Sequence, residues 1–452
     1  MKLKQLFYLD YRLMYAIRNF GEKRFTPRGR FLLVCLLPLA ILGLDTKQTS
    51  AYQVFTFLLS ILIVAMFFSL FFRFPFQVRR RLPPFVTAGQ TFQYGISIKN
   101  LGTKVERGLY LIDELIDPRP AFSEFISSTE PGGKRRFLFK RYMGYNRFLR
   151  LIVQKQNAVI KEQILPDLSP DSEEEIKITV KTFKRGYLNF SGIIIARPDP
   201  FGIFRAFVKV SLPNSLLILP KRYPLPSFQL PGFRKYQPGG VSLASKVGES
   251  EEFLSLRDYR PGDSIRRVHW KSWAKAGKPV VKEYRDEFFV RHTLILDTFL
   301  PSAYSEIFEE AVSVAASFLV SLQTYESLID LMFVGAEVYC FTSGRGLSSM
   351  DRMLETLANV KLCEDKTFSV LHNMVIERIN MLSGAICILI DWDEHRKNFI
   401  EKLNSFGLPL LVFVISKSSE NVSFDPKIPL NKNVSFHILE MGKIKEGLSK
   451  IS

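Results

Sequence analysis

Residues 51–72 read AYQVFTFLLSILIVAMFFSLFF, and none of these 22 side chains is charged. At a rise of about 1.5 Å per residue, a helix of that length spans the roughly 30 Å of hydrocarbon in a bilayer. Residues 31–44 are also uncharged, although they are shorter and contain Pro38. Because only residues 45–50 separate the two stretches, the pattern predicts a membrane hairpin with spans at about 31–44 and 51–72. A soluble protein with two buried helices is the alternative interpretation.

Basic residues flank this predicted hairpin on both sides. Eight Lys or Arg residues precede residue 31 and four arginines lie at 73–81, whereas the connecting stretch has Lys47 beside Asp45. An excess of Lys and Arg marks the cytoplasmic side, so we predict both termini in the cytoplasm and the hairpin in the inner (plasma) membrane. Neither span contains the charged side chain that a transport path needs, so the hairpin is expected to be an anchor.

The composition of the 452-residue chain excludes several classes of protein. With 47% hydrophobic and 23% charged residues, it is not a long disordered chain. Its four cysteines include no CxxC pair, which argues against a disulfide scaffold and a zinc site. The net charge of +18 is uneven, because residues 1–81 carry 13 Lys/Arg against 3 Asp/Glu and residues 286–452 carry 15 against 22. With no nucleic-acid-binding motif beside this distribution, no nucleic-acid partner is predicted.

Between about 82 and 225 the apolar residues occur in short alternating runs. The run TFQYGISIKN at 91–100 is typical, and similar runs follow at 105–111, 174–182, 187–196 and 215–219. Short strands at such intervals predict an antiparallel β-sandwich. The Gly- and Ser-rich residues 237–250 are then interpreted as a loop or linker.

Residues 249–287 read ESEEFLSLRDYRPGDSIRRVHWKSWAKAGKPVVKEYRDE and combine many charges with two tryptophans. In a structural interpretation, the arginines pair with acidic neighbours and the tryptophans fill the gap between two domains; these acids are Glu251, Glu252, Asp258 and Asp263. In a functional interpretation, the segment binds an anion or the acidic surface of a partner. The candidate binding residues are then Arg257, Asp263, Arg266, Arg267, Trp270, Lys271 and Lys275. His269 has no obvious nucleophile beside it, so no catalytic residue is predicted.

The order of these parts resembles the bacterial and archaeal family called domain of unknown function 58. The similarity is carried by RFT at 24–26, RRRLPPFVTAGQTF at 79–92, KRGYLNF at 184–190, DPFGIF at 199–204 and, above all, FLSLRDYRPGDSIRRVHWKSWAKAGKPVVKEY at 253–284. Lys275 stands where the family usually has arginine. The resemblance implies a cytosolic body on a membrane hairpin, a partnership with MoxR-type AAA+ ATPases, and no established enzymatic reaction.

From residue 288 onward, strand patterns alternate with helical ones, which predicts a mostly parallel, doubly wound α/β sheet. This arrangement resembles a von Willebrand factor A domain, a Rossmann-type fold that often holds Mg²⁺ at its strand ends. The resemblance places degenerate metal ligands at Asp297, Thr367 and Asp391, but Phe299 and Pro301 stand where two serine ligands are expected. Since too few oxygen ligands remain, no metal or other cofactor is expected, and Mg²⁺ is the alternative.

Together these observations predict a multi-domain chain: a basic N terminus with the hairpin at 1–81, a sandwich at 82–225, the charged segment at 237–287 and the α/β domain at 288–452. The predicted function is a non-enzymatic, membrane-anchored adaptor or scaffold that assists the assembly or maturation of protein complexes with a MoxR-type ATPase. One alternative is a hydrolase or phosphate-handling enzyme that uses Glu252, Asp263 and the arginine cluster. The other is a metal-dependent protein-binding module.

Overall fold

The structure is a computed structural model that describes residues 2–43, 49–128, 144–226, 235–236, 253–261, 263, 265, 268–284, 288–300, 304–322, 327–343, 350–417 and 433–451. Within the predicted hairpin connection, residues 45–48 lie outside these ranges, as does the predicted linker at 237–250. The chain divides into two compact units, Met1–Pro220 and Lys221–Ser452.

Three helices open the first unit: α1 Lys2–Arg24, α2 Pro27–Gly43 and α3 Thr49–Leu70. In the part of the chain that the structure describes, one helical stretch, Ser50–Leu70, is long and apolar enough to cross a membrane. The helix predicted at 51–72 is therefore present. The shorter α2 has 17 residues with Pro38 inside it. It packs on α3 through Leu36, Leu62 and Ala65, so the two helices form a pair.

Two β-sheets that share one apolar core follow the helices. Their strand orders are β1-β3-β7-β5 and β2-β9-β8-β4-β6, and neighbouring strands are antiparallel except β2 and β9. Alternate side chains from both sheets, such as Ile96, Ile178 and Ile193, are fully buried between them, as the alternating runs predicted. The strands are β1 Phe76–Arg81, β2 Phe85–Thr87, β3 Thr91–Asn100, β4 Tyr110–Leu115, β5 Ala158–Ile160, β6 Gln163–Ile164, β7 Glu173–Thr182, β8 Gly186–Pro198 and β9 Arg205–Leu219.

The sandwich begins at Phe76, within the stretch that was assigned to the flank of the hairpin. The side chain of Arg80 on β1 is buried with that of Asp113 on β4, and its Nε and Nη2 donate to the two carboxylate oxygens at 2.9 and 2.5 Å. The same guanidinium donates to the carbonyl oxygen of Leu212 at 2.8 Å. Its place after the predicted span suggested that Arg80 is a free charge at the membrane surface. The structure shows instead that Arg80 pairs with Asp113 inside the sandwich.

The base of α2 is fastened to the sandwich by the loop at 199–204. The Thr26 hydroxyl donates to the carbonyl oxygen of Gly202 at 2.6 Å and accepts from the Gly29 N–H at 3.1 Å. A Cβ on Gly29 would lie 2.1 Å from the carbonyl oxygen of Ile203, so this close approach requires glycine. The loop itself is shaped by Asp199, whose carboxylate accepts N–H groups at residues 201, 203 and 204. The RFT and DPFGIF motifs therefore contact each other and connect the start of α2 to the sandwich.

The second unit is built on an α/β sheet with the strand order β15-β14-β13-β16-β17-β18. Five of these strands are parallel to their neighbours and β15 is an antiparallel edge, so the predicted mostly parallel sheet is present. All residues of β16 and β17 are buried, which is typical of a sheet covered on both faces. A separate two-stranded sheet is formed by β11 and β12, and β10 pairs with β13. The strands of the second unit are β10 Lys235–Tyr236, β11 Phe253–Asp258, β12 Val280–Tyr284, β13 Phe288–Leu296, β14 Ser327–Val334, β15 Val338–Ser343, β16 Gly384–Leu389, β17 Leu410–Ser416 and β18 Val434–Glu440.

Helices separate β13 from β14, β15 from β16 and β16 from β17 in sequence. The helix Ser369–Arg378 is followed directly by a 3₁₀ turn at Ile379–Met381. Gly407 follows the helix Glu394–Ser405 and has a φ of 71°, a left-handed conformation that favours glycine at the end of a helix. The remaining helices of the described residues are α4 Phe122–Ser127, α5 Tyr145–Lys155, α6 Trp270–Ala276, α7 Glu306–Ser321, α8 Met350–Asn359, α9 Ser369–Arg378, α10 Glu394–Ser405 and α11 Ile444–Leu448.

Candidate functional site

The charged-aromatic segment folds as a two-stranded ladder with a short helix between its strands. Strands β11 and β12 are antiparallel, with Arg257 opposite Val281 and Asp258 opposite Val280. Val268 forms an additional bridge to Val281, and these three valines are 2–7% exposed. A small apolar base therefore holds the helix α6 and the turn before it.

The turn that follows β11 is fixed by an ion pair between Arg257 and Asp263. Arg257 donates from both Nη atoms to the two carboxylate oxygens of Asp263, at 2.7 Å each. The Arg260 N–H donates to the same carboxylate at 2.8 Å. The Arg257 guanidinium and this N–H lower the pKa of Asp263 to about 2. Asp263 is consequently ionised at neutral pH and engaged in the turn, which favours a structural role over acid–base catalysis.

The two tryptophans of α6 lie on the surface. The rings of Trp270 and Trp273 are stacked at 5.2 Å with 15° between their planes. Trp270 is 62% exposed and Trp273 is 36% exposed in the described part of the chain. The side chains of Lys271 and Lys275 on the same helix are exposed beside them. We call Trp270, Lys271, Trp273 and Lys275 the indole–lysine surface.

Of the other predicted residues of the segment, one forms an ion pair and four lie outside the residues that the structure describes. The carboxylate of Asp258 accepts from Lys278 Nζ at 2.7 Å, and its carbonyl oxygen accepts from Nη1 of Arg257 at 3.2 Å. The remaining predicted participants lie outside the described residues, namely Arg266, Arg267, Glu251 and Glu252. The structure therefore places Arg257 and Asp263 together in the turn, and Trp270, Lys271 and Lys275 together on α6.

One contact in this segment was missed by sequence reasoning. Nδ1 of His269 lies 2.6 Å from Oγ of Ser272, three residues later in the first turn of α6. A nucleophilic serine needs a base that a third group orients. Among the described residues, His269 has no carboxylate hydrogen-bonded to its ring, and the nearby Asp263 is engaged by Arg257. The spacing His-x-x-Ser at a helix start was the available signal, and here it fits a local helix contact.

The second candidate site lies at the carboxyl end of β13. The strand order turns outward in both directions from β13 and β16, and ligands of such sheets bind where the order reverses. Asp297 follows β13 at this point and is fully buried. Its carboxylate accepts the N–H groups of Phe299 and Ile390 at 3.0 and 3.2 Å.

A guanidinium, supplied by Arg396 on α10, occupies the neighbourhood of this carboxylate. Nε of Arg396 donates to one Asp297 oxygen at 2.6 Å and Nη2 to the other at 3.2 Å. Nη2 also reaches the Phe299 carbonyl oxygen at 2.7 Å, and Nη1 reaches Asp393 at 2.6 Å. Arg396 is only 4% exposed. The strand-end carboxylate is thus neutralised from within the chain.

Burial and charge act against each other in this pair. Burial raises the pKa of Asp297 above its ordinary value, while Arg396 and the two N–H groups act to lower it. Burial acts to lower the pKa of Arg396, but the charges of Asp297 and Asp393 outweigh it and the net pKa is raised. The guanidinium therefore stays charged, and it is the cation that forms hydrogen bonds to both oxygens of the Asp297 carboxylate.

The other predicted metal ligands have different partners. Asp391 is exposed and accepts the N–H of Trp392 at 2.8 Å. Thr367 is exposed, and its carbonyl oxygen accepts the N–H of Val370 at 3.1 Å. Among residues that the structure describes, no group of three or more His, Cys, Asp or Glu side chains is placed to hold a metal. Asp297 is therefore buried beside Arg396, whereas Thr367 and Asp391 are exposed.

Comparison with known proteins finds a family that matches most of the charged-aromatic segment and the first part of the α/β sheet. Residues 255–374 match the family described as "Protein of unknown function DUF58", which confirms the resemblance over that part of the chain. "Uncharacterized protein YeaD" of Bacillus subtilis (strain 168) is 29% identical over 176 residues. That match covers 38% of this chain and 42% of the relative, so the chain spans less than half the length of that protein.

Two solved structures are similar to parts of the chain at low identity. The CARDB domain of the PF1109 protein from Pyrococcus furiosus, solved with di-metal ions, is 12% identical with a TM-score of 0.17, covering 32% of this chain and 96% of that domain. Salmonella alpha-2-macroglobulin reacted with methylamine is 11% identical with a TM-score of 0.19, covering 36% of this chain and 8% of that protein. Likenesses at this level carry no argument about function.

Proposed function

We propose that this chain, whose residues 255–374 match the DUF58 family, is a membrane-anchored adaptor or scaffold that docks a protein partner and carries out no reaction of its own. The observation that carries the proposal is the exposed, stacked Trp270–Trp273 pair on a base fixed by Arg257 and Asp263. Large aromatic side chains are costly to leave in water, and they are enriched where proteins bind each other.

The anchor is the pair of helices α2 and α3. Only 11% of the most apolar part of Ser50–Leu70 is buried inside the molecule. Its large side chains, such as Phe57 at 63% and Leu70 at 75%, are exposed. The core helix of a soluble protein buries such residues, so lipid is the environment that fits them. The excess of Lys and Arg outside the helix pair supports insertion from the cytoplasmic side with both termini there.

The indole–lysine surface has the composition of a docking site. Its two stacked indoles form a rigid apolar patch, and rigid aromatic residues give most of the energy of many interfaces. Lys271 and Lys275 add positive charge that favours an acidic partner surface and speeds the encounter. The resemblance to the family suggests that the partner is a MoxR-type AAA+ ATPase, acting in the assembly or maturation of a protein complex.

The strand-end site supports an adaptor that works without a metal. The strand order with an antiparallel edge agrees with the expected von Willebrand factor A-like domain. In this chain, however, Arg396 already supplies a positive charge to Asp297 through hydrogen bonds of 2.6 and 3.2 Å. A divalent cation would have to displace a buried guanidinium, which argues against the metal-dependent alternative.

The docking proposal predicts a large loss of affinity when both indoles are removed. The full-length chain in detergent should bind the purified MoxR-type ATPase of the same cells in biolayer interferometry. The double variant Trp270→Ala/Trp273→Ala should raise the Kd by roughly 30-fold or more, because loss of a hot-spot residue costs about 2 kcal/mol or more. Phe406→Ala is the matched control, since Phe406 is an exposed aromatic residue of the same unit at 52% exposure.

Two results would count against this proposal. If the unmodified chain does not bind the ATPase, the proposed partner is wrong. If the double variant binds like the unmodified chain, the indole–lysine surface is not the docking site. Hydrogen exchange at β11 and β12 establishes that the double variant retains its fold.

A further inference from the structure

The amphipathic helix α1 has one face that the first unit covers. Tyr8 and Tyr11 are 5% and 6% exposed, and they pack against Phe125 of α4 and Phe148 of α5. The Tyr8 hydroxyl also donates to the carbonyl oxygen of Pro120 at 2.9 Å. Because these contacts lie on consecutive turns, they fix α1 against α4 and α5 along its first half.

The other face of α1 is largely apolar and uncovered, with Asp10 exposed among its hydrophobic side chains. Seven large hydrophobic side chains on it are between 49% and 62% exposed, namely Leu3, Leu6, Leu9, Leu13, Met14, Ile17 and Phe20. Most of them are three or four residues apart, which places them along one side of a helix and away from the buried tyrosines. A stripe this long needs an apolar environment, and nothing in the described part of the unit provides one.

The position of α1 in the chain identifies that environment. Only Phe25 and Thr26 separate its last residue from α2. Thr26 is fixed to the sandwich loop by its bond to Gly202, so the end of α1 is held at the base of the membrane helices. The helix cannot itself cross the bilayer, because its 23 residues include six Lys or Arg and two Asp or Glu.

The charge of α1 favours an anionic surface. Six basic residues against two acidic ones leave a positive excess, and Arg28 and Arg30 follow in the first turn of α2. A helix with an apolar face, a positive excess and too many charges to span is typical of helices that lie in the plane of a bilayer. Anionic phospholipid headgroups attract such a helix, and the acyl chains just beneath them accept its apolar side.

We infer that α1 is an interfacial helix that lies on an anionic bilayer with Leu6, Leu13, Ile17 and Phe20 among the acyl chains. This inference rests on the proposed membrane anchor. It adds a second attachment, because α4 and α5 are bound to the opposite face of α1 and are thereby held at the membrane surface. The helix pair gives the chain its attachment, and α1 restricts how the first unit can tilt on it.

Depth-dependent quenching tests this position in the full-length protein. Cys35 and Cys340 are only partly buried and are replaced by alanine, whereas Cys363 and Cys387 are buried and stay. Single cysteines are then introduced by Leu13→Cys or Ile17→Cys and labelled with an NBD dye. Asn19→Cys, an exposed position on the polar side of α1, is the matched control, and Ile63→Cys reports the anchor helix α3. Each labelled protein is reconstituted in vesicles of phosphatidylcholine and phosphatidylglycerol, with or without nitroxide-labelled lipid.

The dyes at residues 13 and 17 should shift their emission to the blue and lose most of their fluorescence to the nitroxide lipid, as should the dye at residue 63. The dye at residue 19 should keep most of its fluorescence. In vesicles of phosphatidylcholine alone, quenching at residues 13 and 17 should fall while quenching at residue 63 persists.

The inference is overturned if residues 13 and 17 are quenched no more than residue 19 while residue 63 is quenched. That result would leave the anchor intact and assign the apolar face of α1 to a second copy or another protein. Absence of quenching at residue 63 would overturn the proposed anchor itself, so the two failures are distinguishable. Equal quenching of residues 13 and 17 in both kinds of vesicle would contradict the preference for anionic lipid.

Discussion

Replacing Arg396 by methionine is expected to destabilise the second unit by about 3–5 kcal/mol, the usual cost of leaving one member of a buried ion pair without its partner. The variant leaves the fully buried Asp297 with two N–H donors and no counter-charge. Native-state hydrogen exchange is the suitable measurement, because it reports each unit separately. Protection of the amides in β13 and β16 should fall by roughly two to four orders of magnitude.

Two further variants make the Arg396 prediction specific. Arg352→Met removes an exposed arginine from α8 of the same unit, and a surface change of this kind should alter stability by less than about 0.5 kcal/mol. The double variant Arg396→Met/Asp297→Leu removes both charges and should recover a substantial part of the loss. Unchanged exchange in Arg396→Met would show that the pair does not hold the strand-end site together.

Replacing Arg80 by methionine should have a comparable effect on the first unit, about 3–5 kcal/mol. The side chains of Arg80 and Asp113 are both 0% exposed, and the Tyr94 hydroxyl donates to the same carboxylate. Burial is the largest cause that raises the pKa of Asp113, and Arg80 is the first of the groups that oppose it. Loss of the arginine therefore leaves a buried carboxyl group with the Tyr94 hydroxyl and the Glu114 N–H as donors and no counter-charge.

The next residue provides the control for Arg80. Arg81 is 73% exposed and lies 4.0 Å from Glu175, so Arg81→Met should change the exchange of β3 and β8 very little. Adding Asp113→Asn to Arg80→Met removes the unpaired charge while keeping an acceptor for Tyr94, and should restore part of the protection. If Arg80→Met and Arg81→Met behave alike, Arg80 has no special place in the sandwich.

Local patterns in the sequence were sufficient for much of the fold. The uncharged run at 51–72 predicted α3, the alternation at 91–100 predicted β3 at its observed bounds, and the strand–helix pattern after residue 288 predicted the parallel sheet. In each case the signal is a period within one element. The leucines of helix α1 have such a period too, but the basic residues among them were used to predict the orientation of the hairpin, and no helix was predicted there.

The contacts that define the two buried charges could not be read from the sequence. Arg80 and Asp113 are 33 residues apart, and Arg396 and Asp297 are 99 apart, so each pair exists only once the sheets have formed. Arg80 was consequently interpreted as a charge flanking the membrane span, and Asp297 as a degenerate metal ligand. The role of Arg396 was not predicted. The sequence left both a buried and an exposed Trp270 open, because burial depends on what packs over a helix and not on its own residues.

The proposed anchoring requires that the helix pair α2 and α3 holds the chain in a membrane. Washing isolated membranes with alkaline carbonate releases peripheral proteins and leaves those with inserted helices. We expect the unmodified chain to stay in the membrane pellet, and a variant with Leu59→Lys, Leu62→Lys and Ala65→Lys in α3 to be released because charges at mid-helix oppose insertion. Release of the unmodified chain into the supernatant would contradict the central claim.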